Sequence, residues 1–230
     1  MEIELVVFDI AGTTVKDNGE IAIAFQSAFF DYGYKIPLES INPLMGYKKS
    51  EAIKKILIEF EPNKEKITEI LIDIVHRKFR RIMVEYYSQT QDLQPLPYAE
   101  EIFEYLHSKN IKVGLDTGFS KEITDVIIER LGWLRDKKID AYVCSDEVEF
   151  GRPHPFMIAK IMATLNLSDV TKIIKIGDTE VDINEGINAG CKYSIGITTG
   201  AYSEDELNPH NPSFIINSLQ ELIPIIEPLL

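Results

Sequence analysis

Apolar residues first gather in an unbroken run, Leu5, Val6, Val7 and Phe8, which stops at one carboxylate, Asp9, and gives way to small residues, Ala11, Gly12, Thr13 and Thr14. A short run that is apolar at every position reads as a strand buried on both faces, the pattern of a parallel sheet covered by helices. Such sheets carry their ligands at the carboxyl ends of their strands, which puts Asp9 at the mouth of a cleft. After a polar stretch at 16–20, suited to a hinge, the spacing turns helical. Ile21, Ala22, Phe25, Ala28, Phe29 and Tyr32 share one face before Gly33 ends the run. Pro37 and Pro43 bracket a short segment, Gly46 punctuates, and a helix is predicted over 50–60 with Ser50 as its N-cap. Pro62 and Asn63 open a long helix whose apolar positions Ile67, Ile70, Leu71, Ile74, Val75, Phe79 and Ile82 keep the helical period to about Tyr87.

The period changes after a second hinge at 93–97, LQPLP. Helices are predicted at 98–108, 121–131, 156–165 and 182–189, and strands at 112–116, 141–145, 173–177, 193–197 and 214–216. The whole is an α/β fold: a doubly wound, mostly parallel, Rossmann-like sheet from residues 1–16 and 95–230, with an all-helical cap inserted at 17–94. A cap between two hinges can rock over the strand ends.

Composition narrows the partners. The 230 residues are 45% hydrophobic and 27% charged, ordinary for a globular protein, but the net charge is −13. Such a surface repels nucleic acid and anionic membranes, so a small phosphorylated substrate would depend on a few placed cations or a metal. The expected number of subunits is one or two, because the apolar stripe of the long helix suits burial within the cap or against a second copy. Two cysteines, Cys144 and Cys191, make no disulfide framework. The opening MEIELVVFDI has no basic region, and no apolar run approaches the ~18 residues of a membrane span, so a cytoplasmic protein is expected.

Polar residues stand at four strand ends: Asp9 with Thr13, Thr117 with Gly118, Arg152 in GRPHP, and Asp178 with Asp182 in GDTEVD. Asp9 can bind a divalent cation or attack an electrophilic phosphorus, or it can simply cap the next turn. Asp9 and Asp178, with the Ala11 carbonyl, are the hard oxygen ligands that Mg²⁺ prefers. Asp182 lies one helical turn after Asp178, where it either supports the metal site or caps the helix. Thr117 and the Gly118 amide suit an anion at a helix start, or a plain cap. Arg152 offers a planar fork to a carboxylate and a phosphoryl oxygen together, or lies solvated in its loop.

Taken jointly, FDIAGTT, TGFS, GRPHPFM and KIGDTEVDINEGINAG resemble the haloacid dehalogenase superfamily, and within it the phosphonatase-like branch, where Ala-Gly-Thr follows the nucleophile and Arg replaces Lys in the third motif. The resemblance spans essentially the whole chain. It implies a Mg²⁺-dependent hydrolase acting through an aspartyl-phosphate on a small phosphonate or phosphate, phosphonoacetaldehyde or a relative. Asp9, Thr117, Arg152 and Lys49 would be catalytic, Thr13, Gly118 and Lys48 would contact the substrate or its phosphate, and Asp9, Ala11, Asp178 and Asp182 would hold the metal. Lys49 enters through LMGYKKSEAI, which is similar to the cap stretch carrying the family's imine-forming lysine, although KKSEAIKK also reads as a solvated helix face. Ala11 departs from the superfamily's phosphatases, which carry an acid there to protonate the leaving group. Ala52 and Phe119 stand where the branch has a histidine and a tyrosine. Two other functions stay open: a phosphate monoester phosphatase, and a non-catalytic phosphate-binding or phospho-accepting regulatory protein. A dinucleotide site is disfavoured, since no GxGxxG follows the first strand.

Overall fold

The protein is described by a computed structural model over residues 3–230. In chain order its elements are β1 (Leu5–Phe8), α1 (Glu20–Phe30), α2 (Leu38–Ile41), α3 (Lys49–Phe60), α4 (Glu69–Gln89), α5 (Ala99–Ser108), β2 (Lys112–Thr117), α6 (Lys121–Leu131), β3 (Ala141–Cys144), α7 (Phe156–Thr164), β4 (Ile173–Gly177), α8 (Glu180–Ala189), β5 (Tyr193–Ile197), α9 (Glu204–Leu207), β6 (Phe214–Ile216) and α10 (Leu222–Ile226).

The strands form one parallel sheet in the order β3-β2-β1-β4-β5-β6. Every residue of β1 is buried, with Val6 paired to Val113 on one side and Ile174 on the other. This central place explains why β1 is apolar without alternation: helices cover both faces of the sheet. The strand order reverses at β1, so the loops after β1, β2 and β4 open onto one crevice at the topological switch point.

Between β1 and α5 the described chain is helical. Phe25 of α1 packs on Phe79 of α4 with ring centroids 4.4 Å apart. Entry and exit of this section lie side by side: Lys16 N donates to the Gln94 carbonyl at 3.2 Å and Leu96 N to the Thr14 carbonyl at 2.8 Å.

Local boundaries differ from expectation at several helix starts, and α8, expected from 182, begins at Glu180 behind the Thr179 cap. Ser50 is not a cap but the second residue of α3, which starts at Lys49. The long helix starts at Glu69, where the Thr68 hydroxyl accepts from Leu71 N at 3.2 Å, while Asn63 caps only a single 3₁₀ turn, Lys64–Lys66. Pro62, Asn63 and Thr68 are all start signals, and packing selects among them. The buried stripe of α4 is Ile72, Val75, Phe79, Met83 and Tyr87, which leaves Ile70 72% exposed. Cys144 and Cys191 are both free thiols. Among the described residues no helix is long and apolar enough to cross a membrane.

Candidate active site

The ends of β1, β2 and β4 meet the helical section around a cleft of about 190 Å³. Asp9, Thr117, Gly118 and Asp178 line it from the sheet, and Asp17 and Lys49 from the other side. At Gly118 the two sides come close together. A Cβ there would overlap the Gly46 and Tyr47 carbonyl oxygens, so only glycine lets the backbones approach. Tyr47 also spans the seam, donating from its hydroxyl to Glu180 Oε1 at 2.8 Å.

Beneath the cleft floor lies a buried charge cluster. The Arg152 guanidinium is wholly inaccessible and reaches Asp9 Oδ1 at 2.6 Å, Asp182 Oδ1 at 2.9 Å, Glu185 Oε2 at 3.1 Å and also Asp116. The Lys175 ammonium reaches Asp116, Asp182 Oδ1 at 3.1 Å and Glu185 Oε2 at 3.5 Å. Charges taken this far out of water persist only when mutually paired. Asp116 is held below the usual carboxylate range by Arg152 and Lys175, which outweigh the upward push of its burial. Asp9 is pushed up to about 6, since burial is the largest influence and Asp182 adds to it, while Arg152 and Lys175 pull the other way.

Asp178 lacks such a counter-ion. Oδ1 accepts from the Thr13 hydroxyl at 3.2 Å and Oδ2 from Ala201 N at 2.7 Å, and no ion pair reaches it among the described residues. Its carboxyl is driven well up, first by burial and then by Asp9 and Asp182. Gly12, at φ +88°, brings the β1 loop so close that a Cβ would come within 2.7 Å of Asp178 Oδ2. Around the cleft five carboxylates (Asp9, Asp116, Asp178, Asp182, Glu185) are buried with three basic side chains (Lys49, Arg152, Lys175), a formal excess equal to the charge of one divalent ion. The donor set Asp9, Asp178 and the Ala11 carbonyl therefore fits Mg²⁺ in charge and in oxygen chemistry. A second acid group, Asp9, Asp116 and Asp182, has ligand atoms within 4.8 Å of one another, but Arg152 and Lys175 already serve as its counter-ions.

Lys49, 4% exposed at the start of α3, is unlike the other two cations. Its Nζ lies 5.2 Å from the Phe119 ring centroid and 5.8 Å from that of Phe25, and donates weakly to the Tyr47 carbonyl at 3.4 Å. Burial pushes the ammonium down to about 8, against the opposing pull of Asp9.

The other candidate residues have protein partners of their own. Lys48 turns out of the cleft, its Nζ bonded to the Val148 and Glu149 carbonyls at 3.1 and 3.2 Å, so it ties the helical section to the sheet. Thr13 faces Asp178 rather than an open phosphate position, and Thr117 Oγ1 accepts from Phe119 N at 3.1 Å at the cleft edge. Arg152 lies buried among four carboxylates, of which Asp9 is one, and Asp182 forms a reciprocal cap with Thr179 at the start of α8 while facing Arg152. Asp116, Lys175, Glu185 and Asp17 escaped the sequence reading. The signal for two of them was a charged residue inside an otherwise apolar strand, Asp116 in KVGLDT and Lys175 in IIKIG.

Known proteins are similar to this chain in sequence and in fold. The sequence matches the haloacid dehalogenase-like hydrolase family over residues 6–195. It is 31% identical to the phosphonoacetaldehyde hydrolase of Bacillus thuringiensis subsp. konkukian, across 98% of this chain and 87% of that one. The phosphonoacetaldehyde hydrolase of Hahella chejuensis is 33% identical across 86% and 68%. Among solved structures, a phosphonoacetaldehyde hydrolase-like protein from Oleispira antarctica superposes with a TM-score of 0.81 at 24% identity, covering 100% of this chain and 93% of that one. A hydrolase from Pseudomonas syringae gives 0.84 at 18% identity, covering 98% and 99%. The chain thus belongs to the haloacid dehalogenase-like hydrolases, on their phosphonatase-like branch.

Proposed function

We propose that this hydrolase transfers the phosphoryl group of a small phosphonate or phosphate to Asp9 and then to water. The observation that carries the reading is the meeting, in one cleft, of Asp9 and Asp178 from separate strands with a poorly solvated lysine, Lys49, from the helical section. An Oδ of Asp9 attacks phosphorus, and the acyl phosphate is hydrolysed in a second step. Arg152 fixes the Asp9 carboxylate in orientation, while Thr117 and the Gly118 amide receive the phosphoryl oxygens. Asp9, Asp178 and the Ala11 carbonyl would hold Mg²⁺, which when bound neutralises charge on the acid pair and the phosphoryl group.

The helical section acts as a cap, and Lys49 as its contribution to chemistry. At a pKa of about 8 a useful fraction of its amine is neutral near pH 7 to 8. The free amine attacks a substrate aldehyde, water leaves, and the iminium withdraws electrons from the adjacent C–P bond. Phosphonoacetaldehyde, the substrate named for the two relatives above, meets that requirement. The two free cysteines suit a reducing cytoplasm. Release of acetaldehyde from phosphonoacetaldehyde with Mg²⁺, and borohydride trapping of the aldehyde on Lys49, tests the reading. Phosphate release from p-nitrophenyl phosphate with no trapping would replace it with an ordinary phosphatase.

A further inference from the structure

Breaking a P–X bond sends its electron pair to X, and X then needs a proton unless the pair is already well stabilised. The titratable side chains lining the cleft, among the described residues, are Asp9, Asp17, Lys49 and Asp178. Asp9 forms the new bond to phosphorus, Asp178 faces the metal position, and Lys49 meets the rest of the substrate. Asp17 is the remaining carboxyl, and its surroundings equip it for the task.

Asp17 Oδ1 accepts from Gly19 N at 3.1 Å, a turn that holds the side chain in place just before α1. The carboxyl also pairs with that of Glu20. Two carboxyls in hydrogen-bond contact share one proton, and their environments settle which keeps it. Glu20 accepts from Asn18 N at 2.6 Å and from Asn18 Nδ2 at 3.2 Å, so it is the ionised member, held down to about 2 although its burial opposes this. Asp17 is pushed up to about 6 by burial first, then by the bond to Glu20 and its charge. The other groups facing the pair are the Tyr86 and Tyr87 phenols of α4 and, across the cleft, the Lys49 ammonium and Asp9.

We propose that Asp17, steadied by Glu20, is the proton donor to the atom that leaves phosphorus. This rests on the phosphoryl transfer to Asp9 described above. The bond from Asp9 Oδ to phosphorus forms, the P–X bond breaks, its electron pair goes to X, and the Asp17 proton goes to the same atom. When water attacks the acyl phosphate, its hydroxide joins phosphorus, the pair of the broken P–O bond returns to Asp9, and the released proton recharges Asp17. A group that gives and then regains one proton per turnover is needed in the protonated form at the start, so kcat/KM falls as pH rises through its pKa.

The test compares Asp17→Asn with the wild type on p-nitrophenyl phosphate, whose leaving group needs little help, and on whichever the wild type cleaves of an alkyl phosphate or phosphonoacetaldehyde, whose leaving carbon, an enamine on Lys49, must still gain a proton before acetaldehyde is released. The expected loss is about 10²–10⁴-fold on the poor leaving group and far smaller on the good one. In Glu20→Gln the fall of kcat/KM with rising pH should begin at lower pH, because the charge that raises Asp17 is gone. Equal losses on both substrates, or an unmoved profile in Glu20→Gln, overturn the assignment while leaving phosphoryl transfer to Asp9 intact. A wild type that releases nothing from any of these compounds with Mg²⁺ overturns the hydrolytic reading and this assignment together.

Discussion

Two buried cations a few residues apart in space live by opposite rules. Arg152 beneath the sheet ends is surrounded by Asp9, Asp116, Asp182 and Glu185, with Lys175 sharing three of those acids. Lys49 in the helical section faces aromatic rings and one long carbonyl contact, with no carboxylate within ion-pair distance among the described residues. Saturated pairing keeps Arg152 ionised, driven well above its ordinary range by Asp116, Asp182 and Asp9 despite full burial. Lys49, left short of partners, drops toward neutrality. Paired charge thus holds geometry, whereas underpaired charge becomes available for chemistry.

The sharpest way to break this contrast starts at Asp9, which belongs to both regions. Asp9→Asn should lower turnover by at least about 10⁴-fold, as removal of a nucleophile does, while the amide still accepts from Arg152. Retained turnover in purified protein would remove Asp9 from the chemistry. Next come the two cations replaced by the same residue. Arg152→Met strips one partner from four buried carboxylates and should cost about 3–5 kcal/mol in urea unfolding. Lys49→Met should do the reverse and stabilise the fold at pH 7 by about 1–3 kcal/mol, since it removes a desolvated ammonium. The sign follows from linkage: with a folded pKa near 8, below the usual 10.5, the unfolded chain binds more protons between those values, so wild-type stability rises with pH there. The advantage of Lys49→Met should be full below pH 8 and fade above it. If both substitutions destabilise equally, the contrast is wrong. The smallest effect is at the α4 cap, where Thr68→Ala should lose about 1 kcal/mol with no change in the pH profile of turnover.

Much of the architecture was readable because it rests on local periodicity. Strands Leu5–Phe8, Ile173–Gly177 and Tyr193–Ile197 and the helix Lys121–Leu131 occur at the predicted positions, since a strand buried on both faces is mostly apolar without alternation and an amphipathic helix must repeat near 3.6. The start of α4 was misplaced at Pro62 and Asn63, because Asn63 offers the same local capping chemistry as the actual cap, Thr68, and only packing chooses between them. At the site, Asp9, Thr117, Gly118, Lys49 and Asp178 were picked out as candidates, and all of them line the cleft. Asp116, Lys175 and Glu185 stayed hidden, because a single charged residue within an element carries no mark of a partner that is distant along the chain.

Strand and helix positions, and the presence of polar groups at strand ends, follow from neighbours along the chain, so composition and spacing suffice for them. Which of Lys48 and Lys49 enters the cleft does not: successive residues at a helix start point about 100° apart, and the tertiary placement of α3 sends one ammonium to the Val148 and Glu149 carbonyls and the other between Phe25 and Phe119. The fate of Arg152 was equally out of reach, because its charge is defined by acids from β1, β2 and α8 that only the folded sheet brings within hydrogen-bond distance.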